Sequence, residues 1–329
     1  MIDFRYHIVS IIAVFLALAT GLVLGASLLN TPLINGLNTA NDSLVADKED
    51  LRGQLTELQQ QRDALATSIA DLSPYALRDA LAGQQVVMVQ LPGADDATTT
   101  DVSDAVLAAG GEVTGVVSIR EEWTSQADAT VLDDLVVRLT QPGVEYIAGD
   151  DAYGRAATIL ADALVADVGA SGTPAETGET VPAAPGVNDE GRRTILEGLQ
   201  AGSFISTETP LAVADIAVLV APSPPDTPDE RSTQIGAAWA AIASALDDEG
   251  RAAVMVGPAA AARGDGVIAA LRGDEVVAAT VSTVDSVDEP IGPAVAVLAL
   301  SREVAGTNGH YGLVDAADGP VPASTTPAS

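Results

Sequence analysis

Gln85 to Asp96 reads QVVMVQLPGADD: four apolar residues between glutamines, then a Leu-Pro-Gly turn and two acids. A run this short, rich in valine and closed by a turn, predicts a strand covered on both faces, as in a parallel sheet. Similar runs follow at Glu112 to Ile119 (EVTGVVSI), Val144 to Ala148, Asp215 to Ala221 (DIAVLVA), Ala252 to Gly257 (AAVMVG) and Glu275 to Val284. Ala-rich amphipathic segments lie between them, near 101–110, 129–140, 153–168, 191–201, 229–249 and 291–305. Strands alternating with helices predict an α/β fold, a Rossmann-like doubly wound and mostly parallel sheet, over residues 74–314. Residues 169–190 (GASGTPAETGETVPAAPGVNDE) carry four acids and no base, and read as a flexible insertion. Residues 315–329, ending GPVPASTTPAS, read as a disordered tail.

Upstream of the first strand the pattern changes to a period of seven. Leu37, Leu44, Leu51, Leu58, Leu65 and Leu72 occupy one heptad position, d, with Ile34, Asn41, Lys48, Leu55, Arg62 and Ile69 at a. This predicts a coiled-coil stalk over 33–73, between Pro32 and Pro74. Polar Asn41, Lys48 and Arg62 at a disfavour higher oligomers and favour two parallel strands, and Asp47 at g can meet Arg52 at e of a second copy. A helix packing on its own domain would present a wider apolar stripe, whereas the flanks here hold Val45, Asp47, Arg52, Gln54, Gln59, Gln61, Ala66 and Ser68, six of the eight polar. The seam fits a homodimer or a partner's helix equally well.

Further back, Ile8 to Leu29 reads IVSIIAVFLALATGLVLGASLL, and no formally charged residue occurs between Arg5 and Asp42. At ~1.5 Å per residue those residues span ~33 Å, enough for a hydrocarbon core of ~30 Å. The run exceeds the apolar stretch of a signal peptide and lacks a clear cleavage site, so an uncleaved transmembrane helix over 8–29 is expected. Arg5 on one flank and Asp42, Asp47, Glu49 and Asp50 on the other place residues 1–7 in the cytoplasm and the remainder outside, in a single-pass protein of the cytoplasmic membrane. Ala13, Ala17, Gly21 and Gly25 form a stripe of small residues along which two such helices can pack.

The formal charge of the 329 residues is -31. Residues 1–73 hold 8 acids and 4 bases, leaving 38 acids and 11 bases to the head. Such a surface repels nucleic acid and anionic lipid. With no cysteine, thiolate metal sites, disulfides and cysteine nucleophiles are excluded, and Lys48 is the single lysine, which removes P-loop and Schiff-base chemistry from the head. The turn after the first strand offers one glycine followed by Asp95 and Asp96, a poor cradle for a pyrophosphate. His7 and His310 are the only histidines, and His310 is expected to be a structural or surface residue. The paired acids Asp95-Asp96, Asp133-Asp134, Asp150-Asp151, Asp247-Asp248-Glu249 and Asp285 with Asp288-Glu289 lack EF-hand spacing and are expected on solvated faces. Met88 and Met255 sit in strand runs, and no copper site is expected. No enzyme, cofactor or metal centre is therefore anticipated.

The opening MIDFRYHIVSIIAVFLALATGLVLGASLL, the heptads behind it, and Ser282 to Gly312 (STVDSVDEPIGPAVAVLALSREVAGTNGHYG) together resemble the actinobacterial MctB family, also described as SteB. The resemblance implies one of two roles. One is copper export, as an outer-membrane transport component. The other is cell separation in the bacterial envelope, with a SteA-like membrane partner and a septal peptidoglycan hydrolase. A barrel needs ~8 or more strands of alternating polarity, and a single helical anchor, a coil and an α/β head do not supply them. The expectation is therefore a non-enzymatic scaffold for envelope remodelling and cell separation, with copper transport or resistance as the alternative.

Overall fold

The computed structural model describes residues 4–141, 151–166, 187–207, 211–225 and 231–322. It divides into two compact units, Met1–Leu65 and Ala66–Ser329.

The first unit is helical. Helix α1 runs over Phe4–Ala76, so the apolar span and the heptad region belong to one helix that continues through Pro32 and is carried past Ser73 to include Pro74. Its segment Tyr6–Gly25 has a mean hydropathy of 2.6 and is long and apolar enough to cross a membrane.

The second unit is the expected α/β domain. Its strands are β1 (Gln85–Gln90), β2 (Glu112–Ile119), β3 (Ile205–Thr207), β4 (Ile216–Val220), β5 (Ala252–Val256), β6 (Ser282–Val284) and β7 (His310–Tyr311). They form one mixed sheet in the order β3-β2-β1-β4-β5-β6-β7, parallel throughout except for the antiparallel β2–β3 pair. Helices α2 (Asp96–Ala108), α3 (Ala129–Leu139), α4 (Ala152–Leu164), α5 (Asp189–Ala201), α6 (Ser232–Glu249), α7 (Val267–Gly273), α8 (Glu275–Ala278) and α9 (Gly292–Val304) cover it.

The two-residue period of a strand sorts the core. Val87, Val89, Leu219 and Met255 face α3 to α7, whereas Val86, Met88, Val218 and Val254 face α2 and α9. Aromatic rings being scarce, close packing uses alanine and glycine: at Gly236 on α6 a Cβ would lie 2.8 Å from Cβ of Ala270 on α7. Both layers are needed because every residue of β4 and β5 is buried.

Three expectations are corrected. Glu275 to Val284 is not one strand: α8 occupies its start and β6 only its last three residues, because Asp274 caps the amides of Val276 and Val277. The insertion ends before residue 190, since Asn188 caps α5 through the amide of Gly191. Residues 315–322 are not a loose tail at their start: the amide of Asp318 donates to the His310 carbonyl (3.1 Å) and the Asp318 carboxylate accepts the His310 amide (2.8 Å). The strand expected at Val144 to Ala148 lies outside the described residues, as do positions 169–186 and 323–329.

Connection faces define the topology further. β1–α2–β2 moves one way along the sheet with its helix on one face, and β4–α6–β5 moves the other way with its helix on the opposite face. The order therefore switches between β1 and β4. β6–α9–β7 advances in the same direction as β4–α6–β5 but lays α9 on the α2 side, so its crossover has the opposite hand, a rare arrangement among parallel connections. That crossing lays α9 over β5 and β6, beside α2 on the same face of the sheet.

Candidate functional site

In open doubly wound sheets, ligands bind outside the carboxyl ends of the strands at the switch in strand order. The chain forms a crevice of about 860 Å³ at that place. Its walls are the segments that follow four strands: Pro92 and Gly93 after β1, Glu121 to Asp128 after β2, Pro222 to Pro225 after β4, and Asp265 to Val267 after β5. One face of α6, with Ser232, Ile235, Gly236 and Trp239, forms the remaining side. A shallower cavity of about 430 Å³ continues past Pro92 and Glu121 over the end of β2.

Local chemistry holds these loops in place. Gly93 takes φ +81, a conformation that favours glycine, and so turns the chain directly after β1. The Arg231 guanidinium donates to the carbonyl of Thr124 (3.1 Å), tying the start of α6 to the β2 loop. At Gly266 any side chain would collide with the Ala261 backbone, which leads Asp265 tightly into α7. Trp239, 4% exposed, is packed into the domain and also lines the crevice.

The residues singled out in the sequence lie elsewhere. Leu44, Leu51, Leu55, Leu58, Leu65 and Leu72 are 58–67% exposed along α1, and Ile69 is half-buried. Ile34 and Leu37 are helical, with side chains outside the described set. Ala13, Ala17 and Gly21 are exposed and Gly25 half-buried, and a Cβ on either glycine would meet nothing within 4 Å. His310 packs its Nδ1 2.9 Å from the Thr283 hydroxyl, and burial lowers its pKa.

The acids expected on solvated faces divide differently. Asp95 and Asp151 cap α2 and α4, and Asp133 pairs with Arg155. Asp285 is fully enclosed, paired with Arg272 at 2.8 Å, and accepts the amides of Leu313 (2.6 Å) and Val314 (3.3 Å). Asp247 accepts the amide of Ala253 (3.1 Å) and meets Glu303, itself buried and bonded to the amide of Ser282 at 3.1 Å. Burial pushes the Glu303 carboxyl up to about 9 and Asp247 up to about 6. A buried acid directly after a strand or opposite a buried amide is solvated by the protein rather than by water. The Val-Asp-Ser-Val setting of Asp285 was a signal for this that pair-counting overlooks.

For copper, the donors do not assemble. Met88 and Met255 are fully buried and face opposite sides of the sheet. Among the described residues there is no group of three or more His, Asp or Glu arranged to hold a metal ion.

The chain thus combines an apolar N-terminal helix that fits a membrane anchor with a doubly wound α/β domain. The chain belongs to the MctB family: residues 1–322 match the family described as "Copper transport outer membrane protein, MctB". It is 32% identical to the protein named copper transporter MctB in Mycobacterium tuberculosis and in Mycobacterium bovis, over 95% of this chain and 96% of theirs. The Mycobacterium leprae protein of the same name is 30% identical, over 95% and 96% of the two chains.

Proposed function

We propose that the protein is a non-enzymatic, membrane-anchored component of copper transport or copper resistance, acting through the partners it assembles. The observation that carries this reading is the match along nearly the whole chain to relatives named copper transporters. Copper is cargo in this reading, and the absence of cysteine together with the separation of Met88 from Met255 favours an indirect contribution over direct ligation. The description of the family as outer-membrane sits beside an open sheet, ending at β3 and β7, and one apolar helix; these support anchoring through α1 with the head on the far side of the membrane from residues 1–7. Deleting the gene and restoring the full chain should lower and then recover growth in copper-supplemented medium. Copper tolerance unchanged by the deletion would overturn the proposal.

A second reading has its own observation. The leucine seam of α1 is exposed along five heptads, which suits a stalk that pairs with a second copy or with a SteA-like partner and a septal peptidoglycan hydrolase. It predicts chained, unseparated cells with ordinary copper tolerance in the same deletion strain.

A further inference from the structure

We propose that the crevice at the β1/β4 switch is a binding site for a small organic cation with an apolar body, an inference that does not depend on the copper reading. Its volume of about 860 Å³ is that of a small-molecule site, ~300 to 1,000 Å³. Four carboxylates line it, Glu121, Glu122, Asp128 and Asp265, against one cation, Arg231. None of the four has an ion-pair partner among the described residues, and Asp128 stands at the start of α3 without capping it. Arg231 binds the Thr124 carbonyl across the crevice wall.

The rest of the lining is apolar or neutral. Trp239, Ile235, Val267 and the prolines after β4 give a surface for a hydrocarbon or aromatic body. An anion is disfavoured. α6 does begin at the crevice without a side-chain cap, but a helix end amounts to about half a positive charge, set against four negative ones. That balance separates this crevice from the phosphate sites of related topologies, where glycine amides face the ligand instead of acids. The loops are set by the turns at Gly93 and Gly266, so the site is formed before a ligand arrives.

The test uses the full-length protein in neutral detergent, with benzyltrimethylammonium as the probe and benzenesulfonate as its anionic counterpart. Two tryptophans are the only indoles, and Trp239 lies at the crevice, so fluorescence and calorimetric titration both read the site. The expected result is saturable one-to-one binding of the cation that survives ~0.15 M salt, where diffuse attraction to an acidic surface is largely screened. The double variant Glu122→Gln with Asp128→Asn should weaken it by about tenfold or more. Ser223→Arg, which adds a positive charge on an exposed lining residue, should abolish it, so that the result does not hang on one variant folding. Asp101→Asn with Asp104→Asn, which removes the same charge from the exposed surface of α2, should leave it unchanged. The proposal fails if binding is non-saturable, if benzenesulfonate binds as well, or if the α2 variant weakens binding as much as the crevice variant.

Discussion

The Arg272 guanidinium lies 2.8 Å from the carboxylate of Asp285, and the same guanidinium donates to the carbonyls of Tyr311 (3.0 Å) and Val314 (2.6 Å). One enclosed charge pair thus fastens α7, β6, β7 and the turn beyond β7 to each other.

Removing one partner of that pair leaves the other buried and uncompensated, which costs about 3–5 kcal/mol. Asp285→Ala should therefore lower the thermal midpoint by about 10 °C in a domain of this size, read by circular dichroism. Gly312→Ala should act in the same direction, because residue 312 has φ +134 and its Cβ would collide with the Asp285 carboxylate. A midpoint unmoved in both variants would contradict the clamp.

Glu303 and Asp247 give the stability a pH dependence of definite sign. Burial raises both carboxyls, Glu303 from 4.5 to about 9 and Asp247 from 3.8 to about 6. The folded state then holds more protons on these two groups than the unfolded chain does, so their contribution to stability is full below about pH 4 and is lost as pH climbs through about 9. Denaturant midpoints across that interval should fall for the parent and much less for Glu303→Gln, which keeps a neutral group in place. A parent midpoint rising from pH 5 to 8 with no such loss would refute the assignment.

The seam of α1 yields an association test. Leu51→Asp together with Leu58→Asp places two charges on the leucine stripe, and a dimer built on it should dissociate to monomer in sedimentation of residues 31–329. If parent and variant sediment alike, the seam does not pair copies of this chain.

His310 provides a test of the non-enzymatic reading. Its imidazole is spent on the Thr283 hydroxyl, so His310→Ala should restore copper growth in the deletion strain as well as the parent does. Failure of that variant, at normal protein level, would point to chemistry at this residue.

Fold class and strand positions were legible because VVMV, IAVLV and AAVMV are short apolar runs between turns, and a strand buried on both faces needs nothing else. β3 and β7 were not, because two or three residues carry no periodicity, and β7 exists through its pairing with β6 and the Asp318 bond. The acids misled for a related reason: the sequence displays Asp285 as a charge, and only the fold reveals the amides of Leu313 and Val314 and a guanidinium where water would be. The crevice stayed hidden because it joins residues from 92 to 267 through the strand order, and no local motif encodes that order. What the sequence did display was the exposed leucine seam, whose spacing is local.

The last crossover sets an order of events in synthesis. Asp285 and Arg272 are made before residues 310–314, and until those residues leave the ribosome Asp285 lacks two of its amide donors and Arg272 two of its carbonyl acceptors. The outer edge of β6 also stays open, a row of unpaired backbone groups able to join another chain. A product cut short after α9 would thus keep nearly all of its apolar core and yet lack its latch. Translation through residues 310–318 thus completes both the bonds of the Arg272–Asp285 pair and the pairing of β6 on its outer edge.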